Sequence, residues 1–197
     1  MVFDLYLVGV GGQGILTIGE IIAAAALEKG IPANFYPTKG MAQRGGFVKA
    51  QLRLGRANVG ASIAENGADL VIAMELSESL KAIRYLKPQG DFVLYSSVWS
   101  PTAVMLGKAP YPKLDEVTKE IKKTTENMFL ITPDQRPDFE GQPVPENVFV
   151  LGAACKNSSL NKIVNADEIK QAMRNKWKRG VERNIYTFDS GYNLIVD

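Results

Sequence analysis

The sequence predicts an α/β protein: a single domain over residues 1–197 with a mostly parallel sheet and helices on both faces. Two observations carry that expectation. The opening FDLYLVGV is a short, nearly continuous apolar run ending in glycine, as a strand buried on both faces of a parallel sheet would be. Thereafter strand-like and helix-like segments alternate along the chain, without an internal repeat or low-complexity stretch.

Residues 15–29, ILTIGEIIAAAALEK, have few polar positions and read as a helix pressed on that sheet, stopped by Gly30 as a C′ glycine. IPANFY (31–36) then supplies a second strand and completes a βαβ unit. In FVKAQLRL (47–54), Val48, Ala50, Leu52 and Leu54 fall on one face and Phe47, Lys49, Gln51 and Arg53 on the other. That period predicts a half-buried strand whose second face meets water or a partner, an edge strand or a subunit interface.

ADLVIAM (68–74) reads as a buried strand and SESLKAIRYL (77–86) as a helix with Ser77 near its N-cap. Lys87-Pro88-Gln89-Gly90 breaks the chain before the strand DFVLYSS. After a turn-rich stretch from Ser100 to Pro112, Leu114, Val117 and Ile121 lie at helical spacing, and MFLIT (128–132) follows as a strand. PDQRPDFEGQPVPEN (133–147) reads as a long loop. NVFVLGAACK (147–156) is apolar enough for either a strand or a packed helix. Asn165-Ala-Asp-Glu168 opens a basic helix with a capping-box pattern, and a last helical segment spans 181–188.

Composition narrows the chemistry. Apolar residues make up 46% and charged residues 22%, with 23 basic against 21 acidic side chains, so nothing points to nucleic acid. The basic set Lys170, Arg174, Lys176, Lys178, Arg179 and Arg183 reads as a solvated helix face, with Trp177 either on its apolar side or at an interface. There is no histidine, which removes imidazole bases and imidazole zinc ligands, and the single Cys155 cannot hold an iron–sulfur cluster. Cys155 sits among apolar neighbours and reads as a core residue. No basic n-region with an h-region opens the chain, and no apolar stretch is long enough to span a bilayer, so a cytoplasmic protein without membrane contact is expected.

GVGGQG (9–14) joins the first strand to the first helix as a Rossmann-like glycine turn, with Gly9, Gly11 and Gly14 at G-x-G-x-x-G spacing and Gly12 and Gln13 between them. Such a turn presents helix N–H groups to an anion. Three readings stay open: a nicotinamide dinucleotide, another anion, or close packing alone. The first is weakened because Asn34-Phe35-Tyr36-Pro37-Thr38-Lys39 offers no acid for a ribose hydroxyl. A second cluster, GMAQRGG (40–46), brings Gln43, the forked guanidinium of Arg44, Gly45 and Gly46 into the loop after the second strand, where the two loops either share one anion-accepting crevice or Arg44 is a structural residue capping helix carbonyls. Glu75, after ADLVIAM, is either a functional acid or a turn carboxylate.

The pair of motifs resembles the gamma subunit or gamma domain of the thiamine-diphosphate-dependent 2-oxoacid:ferredoxin oxidoreductases, and GMAQRGG most resembles the small subunit of the indolepyruvate type. The likeness continues through ADLVIAMELSESLKAIRYLKPQG (68–90), NVFVLGAACK and ERNIYTFDSGYN (182–193), in the same order. Lys39 stands where family members often have histidine, and Phe47 where serine is common. The resemblance implies a complex that decarboxylates a 2-oxoacid, reduces ferredoxin through iron–sulfur clusters and forms an acyl-CoA. Thiamine diphosphate and clusters would then sit on partner subunits, since this chain has one cysteine and only the fragment Gly90-Asp91-Phe92 of a thiamine motif. It also implies that the isolated chain is inactive, and that Gly9, Gly11, Gly12, Gln13, Gly14, Gln43, Arg44, Gly45 and Gly46 face coenzyme A or a neighbouring subunit. The rival readings are a free-standing NAD(P)-binding oxidoreductase and a non-enzymatic α/β module recruiting acidic partners.

Overall fold

A computed structural model describes residues 1–39 and 45–195. Six strands form one sheet in the order β2–β3–β1–β4–β5–β6: β1 Phe3–Val10, β2 Ala33–Lys39, β3 Phe47–Leu54, β4 Ala68–Ala73, β5 Leu86–Tyr95 and β6 Met128–Ile131. β1, β4, β5 and β6 pair in parallel, whereas β3 is antiparallel to both β1 and β2. The two strands of the expected βαβ unit therefore point the same way without pairing, because β3 lies between them. The link from β2 to β3 is too short for a parallel crossover and long enough for a reversal. Of the two readings of this strand, the edge strand is therefore excluded: β3 is interior.

Period-2 alternation divides the sheet's side chains between two cores. Leu5, Leu7, Leu70, Ile72, Val93 and Tyr95 face α1 (Ile15–Glu28), α5 (Glu146–Asn157) and α6 (Ala166–Lys176), with Phe188 of α7 (Val181–Tyr192) in the same cluster. Tyr6, Val8, Val71, Ala73, Phe92 and Leu94 face the other way, towards α2 (Leu76–Ser79) and α4 (Leu114–Lys122). Helices on both faces follow from central strands whose apolar side chains point both ways, as in Leu5–Val8, Leu70–Ala73 and Phe92–Tyr95.

The end of α1 is the one read from sequence: Gly30 at φ +76° lets its N–H donate to Leu27 O at 2.9 Å and that of Ile31 to Ala26 O at 2.8 Å, a Schellman closure. Asn165 caps α6 with the reciprocal Glu168 contact. Four expectations are revised. SESLKAIRYL does not hold one helix: α2 ends at Ser79, whose hydroxyl donates to Leu76 O, and a 3₁₀ turn covers Ile83–Tyr85. Its N-cap is Glu75, whose carboxylate accepts from Glu78 N–H at 2.8 Å, rather than Ser77. The break at Lys87–Gly90 is an irregularity inside β5, with Gln89 at φ +62° and the register shifting between Ala68 and Leu70. The loop 133–147 contains a small hairpin, β7 (Asp138–Phe139) and β8 (Gln142–Pro143), turned by Glu140 and Gly141 at positive φ. NVFVLGAACK resolves as the helix α5, and the last helix extends to Tyr192.

One buried ion cluster fastens β1 to β3. Asp4, 3% exposed, lies directly across from Arg53 and accepts from its Nε at 2.9 Å and Nη2 at 3.0 Å, and from Arg56 Nη1 at 3.1 Å. Burial alone would raise the carboxyl pKa, but the two guanidiniums hold it below the ordinary value of 3.8. A depressed carboxyl pKa stabilises above the unfolded value, and that stabilisation is lost as pH falls through the folded value. Asp4→Asn should therefore cost about 2 kcal/mol at neutral pH. In urea melts the difference from wild type should shrink as pH falls towards 3; a pH-independent difference would rule out the ionic account.

Candidate functional site

The carboxyl ends of β1, β4 and β5 converge on the glycine turn. Gly9 and Val10 end β1, and Gly14 forms the N-cap of α1 in the left-handed region at φ +69°, where no side chain among the described residues caps the helix. A Cβ at Gly14 would come 2.3 Å from Nδ2 of Asn147, which donates to Gly14 O at 3.2 Å. Glycine is required there on both counts. Gly12, at φ +108°, has open space beside it.

The two glycine clusters meet. Gly11 N–H donates to Gly46 O at 2.8 Å, and Gly45 N–H returns to Gly11 O at 3.2 Å. Gly45 in turn lies against Trp99, whose Nε1 would be 2.5 Å from an added Cβ. Gln43 and Arg44 lie outside the described residues. Residues 9–14, Gly45 with Gly46, and the segment after β5 thus lie side by side at the carboxyl end of the sheet.

Gln13 faces inward and is 5% exposed. Its Oε1 accepts from Val10 N–H at 2.9 Å, while its Nε2 donates to Met74 O at 2.6 Å and to Ser97 Oγ at 2.8 Å. One amide therefore clamps the ends of β1, β4 and β5, and fixes the turn that presents the α1 N-terminus.

Sequence reasoning missed a group beside this clamp. Glu146 opens α5 with Arg136 Nη1 at 3.8 Å. Burial raises its carboxyl pKa, with Arg136 acting against the shift. Tyr95, 1% exposed, has its phenol pushed up to about 12 by burial and by the Glu146 charge. Nothing in the proline-rich run before Glu146 announces that it returns to the end of β5.

Glu75, the other acid considered, is fully buried and saturated with donors: Glu78 N–H, Ser77 Oγ at 2.8 Å, Trp99 N–H at 3.1 Å and Tyr111 Oη. It is a turn carboxylate that ties α2 to the post-β5 segment. The Cys155 thiol is buried and pushed up to about 12 by burial, so it belongs to the core and is no thiolate. Among the described residues no cluster of His, Cys, Asp and Glu is arranged for a metal ion, and no helix is long and apolar enough to cross a membrane. The basic C-terminal set is partly spent inside the chain: Lys170 pairs with Asp189 at 3.2 Å and Lys176 with Glu20 at 2.7 Å, while Trp177 packs on the core. Among the described residues, the segments around the glycine turn bring together the free end of α1 and the carboxyl of Glu146.

Comparison with known proteins agrees with this frame. The family model for pyruvate ferredoxin/flavodoxin oxidoreductase matches residues 4–194. An indolepyruvate oxidoreductase subunit IorB from Archaeoglobus fulgidus is 34% identical over 197 residues, covering 100% of this chain and 96% of that protein. The crystal structure of pyruvate oxidoreductase subunit PORC from Thermotoga maritima superposes with a TM-score of 0.66 at 20% identity, covering 100% and 97% of the two chains. A 2-oxoglutarate:ferredoxin oxidoreductase from Magnetococcus marinus, with 2-oxoglutarate, coenzyme A and succinyl-CoA bound, gives a TM-score of 0.59 at 18% identity; the match covers 97% of this chain and 30% of that one.

Proposed function

Because this chain belongs to the pyruvate ferredoxin/flavodoxin oxidoreductase family, we propose that it is the small accessory subunit of a 2-oxoacid:ferredoxin oxidoreductase of the indolepyruvate type. The observation that carries the reading is the end-to-end match with an IorB subunit, of nearly the same length as this chain. The complex would oxidatively decarboxylate an aryl or indole 2-oxoacid to its acyl-CoA and reduce ferredoxin. All 197 residues act as one gamma-type unit in the cytoplasm, and the isolated chain turns nothing over.

The residues present decide which groups this chain can hold. An iron–sulfur cluster does not fit, because the single thiol lies in the core. Thiamine diphosphate finds no diphosphate motif here. Both belong on the thiamine and iron–sulfur subunits that we propose as partners. The reading gives the phosphates of coenzyme A to the N-terminus of α1, which no side chain among the described residues caps, and to the open side of Gly12, with Gln43 and Arg44 in the adjoining sequence. Coenzyme A supplies the thiol that accepts the acyl group, and this chain's part is to bind and orient it. Support also comes from the fold neighbour whose structure holds coenzyme A. The dinucleotide reading has less behind it, since β2 ends in Thr38 and Lys39 with no acid for a ribose.

Arg44→Ala tests the site. Loss of a charge-assisted contact should raise the Michaelis constant for coenzyme A about 10-fold in the reconstituted complex. An unchanged constant with unchanged assembly would sink the assignment of Arg44. Failure of the tagged wild-type chain to copurify with a thiamine-binding, cysteine-rich subunit would sink the family role itself.

A further inference from the structure

β3 enters the sheet with one half of its second face covered and the other half open. Gln51 Oε1 accepts from Ile63 N–H at 2.6 Å, and Arg53 donates to Gly60 O and Ser62 O at 3.0 and 3.1 Å, so residues 60–63 cover that half. Phe47 and Lys49, on the same face nearer the glycine loops, are half-buried and have no such cover among the described residues. With Tyr6, Leu80, Lys81, Arg84 and Tyr85 they line a shallow cavity of about 350 Å³ beside α2.

The cavity is built of aromatic rings overlain by cations. Tyr6 and Tyr85 stack with centroids 4.3 Å apart and planes 13° from parallel. The Arg84 guanidinium lies 4.9 Å from the Tyr85 ring centre, and Lys81 Nζ lies 4.7 Å from that of Phe47. Leu80 is 40% exposed at the rim. Three cations here face two carboxylates. Glu78 holds Lys81 at 2.6 Å, but Glu65 reaches Arg84 only at 3.7 Å, and both of those side chains are mostly in water. Such an exposed pair contributes little. Lys49 has no carboxylate partner among the described residues. Arg, Tyr, Phe and an exposed Leu together have the composition of an interface anchor, and the surplus positive charge asks for acidic groups opposite. A stacked nucleotide is the poorer fit, because Tyr6, Arg84 and Lys81 already engage these rings.

We propose that the open half of β3, together with residues 80–85, docks an acidic segment of a partner subunit, with carboxylates meeting Lys49 and Arg84 and an apolar side chain seated on Leu80 and Phe47. The inference rests on the accessory-subunit reading. The test uses the copurified complex. Carbodiimide cross-linking should join Lys49 or Lys81 to an Asp or Glu of the partner, and the double variant Lys49→Glu/Arg84→Glu should retain at least about 10-fold less partner at ~0.15 M salt. Its melting temperature should match wild type; if it does not fold, Lys49→Gln/Arg84→Gln carries the test, with a smaller loss expected. Cross-links confined to Lys81 and Glu78 within the chain, with partner retention unchanged, would overturn the docking surface and leave the subunit reading intact. Saturable binding of ADP or inorganic phosphate to the isolated chain, abolished by the double variant, would overturn it in favour of a small-anion site. A wild-type chain that recovers no partner would remove both readings together.

Discussion

Gly191→Ala should destabilise the chain by about 4 kcal/mol, at the high end for overpacking. α5 and α7 cross backbone to backbone. A Cβ at Gly191 would sit 1.9 Å from Phe149 O and 2.9 Å from Phe149 C, and one at the reciprocal position, Gly152, would sit 2.1 Å from Phe188 O. The obstacle on each side is main chain, so no rotamer change relieves it. Nor can α5 retreat, since it is buried from Val148 to Cys155 between the sheet and α7. For a domain of this size the melting temperature should fall by about 8–16 °C. Gly180→Ala is the matched control. That glycine, at φ +67° before α7, has nothing within 4 Å, so only left-handed strain of about 1 kcal/mol applies. Equal losses in the two variants, measured by thermal melts, would mean that the helix crossing is not tight.

The contrast between Gly180 and Gly191 bears on what a sequence reveals. β1, β4 and the second half of β5 were legible because a strand buried on both faces is apolar along most of its length, and the ends of α1 and α6 because Gly30 and Asn165 fill roles few residues can. α5 was not decided, since a helix buried on all sides loses the 3.6-residue period that would mark it. β3 was legible as a strand with two unlike faces. Its interior place was not, because pairing partners are set by the β2–β3 connection and not by the strand's own pattern. At the candidate site the two glycine loops do meet, with Gly11 bonded to Gly45 and Gly46, but through the pairing of β3 with β1 and not through neighbouring β1 and β2 strands. The inward aim of Gln13 did not follow: G-x-G-x-x-G spacing constrains the glycines and leaves the intervening side chains free. Tyr95 with Glu146 depends on chain segments about 50 residues apart, beyond any local pattern.

Gln13→Glu should turn the clamp at the carboxyl edge into a pH-dependent one. The substitution keeps shape and keeps an acceptor for Val10 N–H, but the atom now facing Met74 O at 2.6 Å must donate. Only the protonated carboxyl can do so. The ionised form sets a buried negative charge against a carbonyl oxygen, near Glu146 and with no cation among its bonded partners, so the folded-state pKa must lie well above the unfolded value of about 4.3. A raised carboxyl pKa leaves stability intact below the unfolded value, and the penalty grows from there until pH passes the folded value. At about 1.36 kcal/mol per pH unit, the variant should lose about 1 kcal/mol at pH 5 and up to about 3.5 kcal/mol at pH 7, relative to wild type at the same pH. Comparison at matched pH cancels the acid loss from Asp4, which both proteins share. Urea melts at pH 4.5, 5.5 and 7 read the slope directly. A difference that does not change with pH would show that the Gln13 amide is not the donor to Met74, and that the glycine turn is held at the end of β4 by other contacts. The predicted slope would instead tie the geometry of the α1 N-terminus to one buried N–H donor, and any loss of coenzyme A affinity in the reconstituted variant should then follow the same pH dependence.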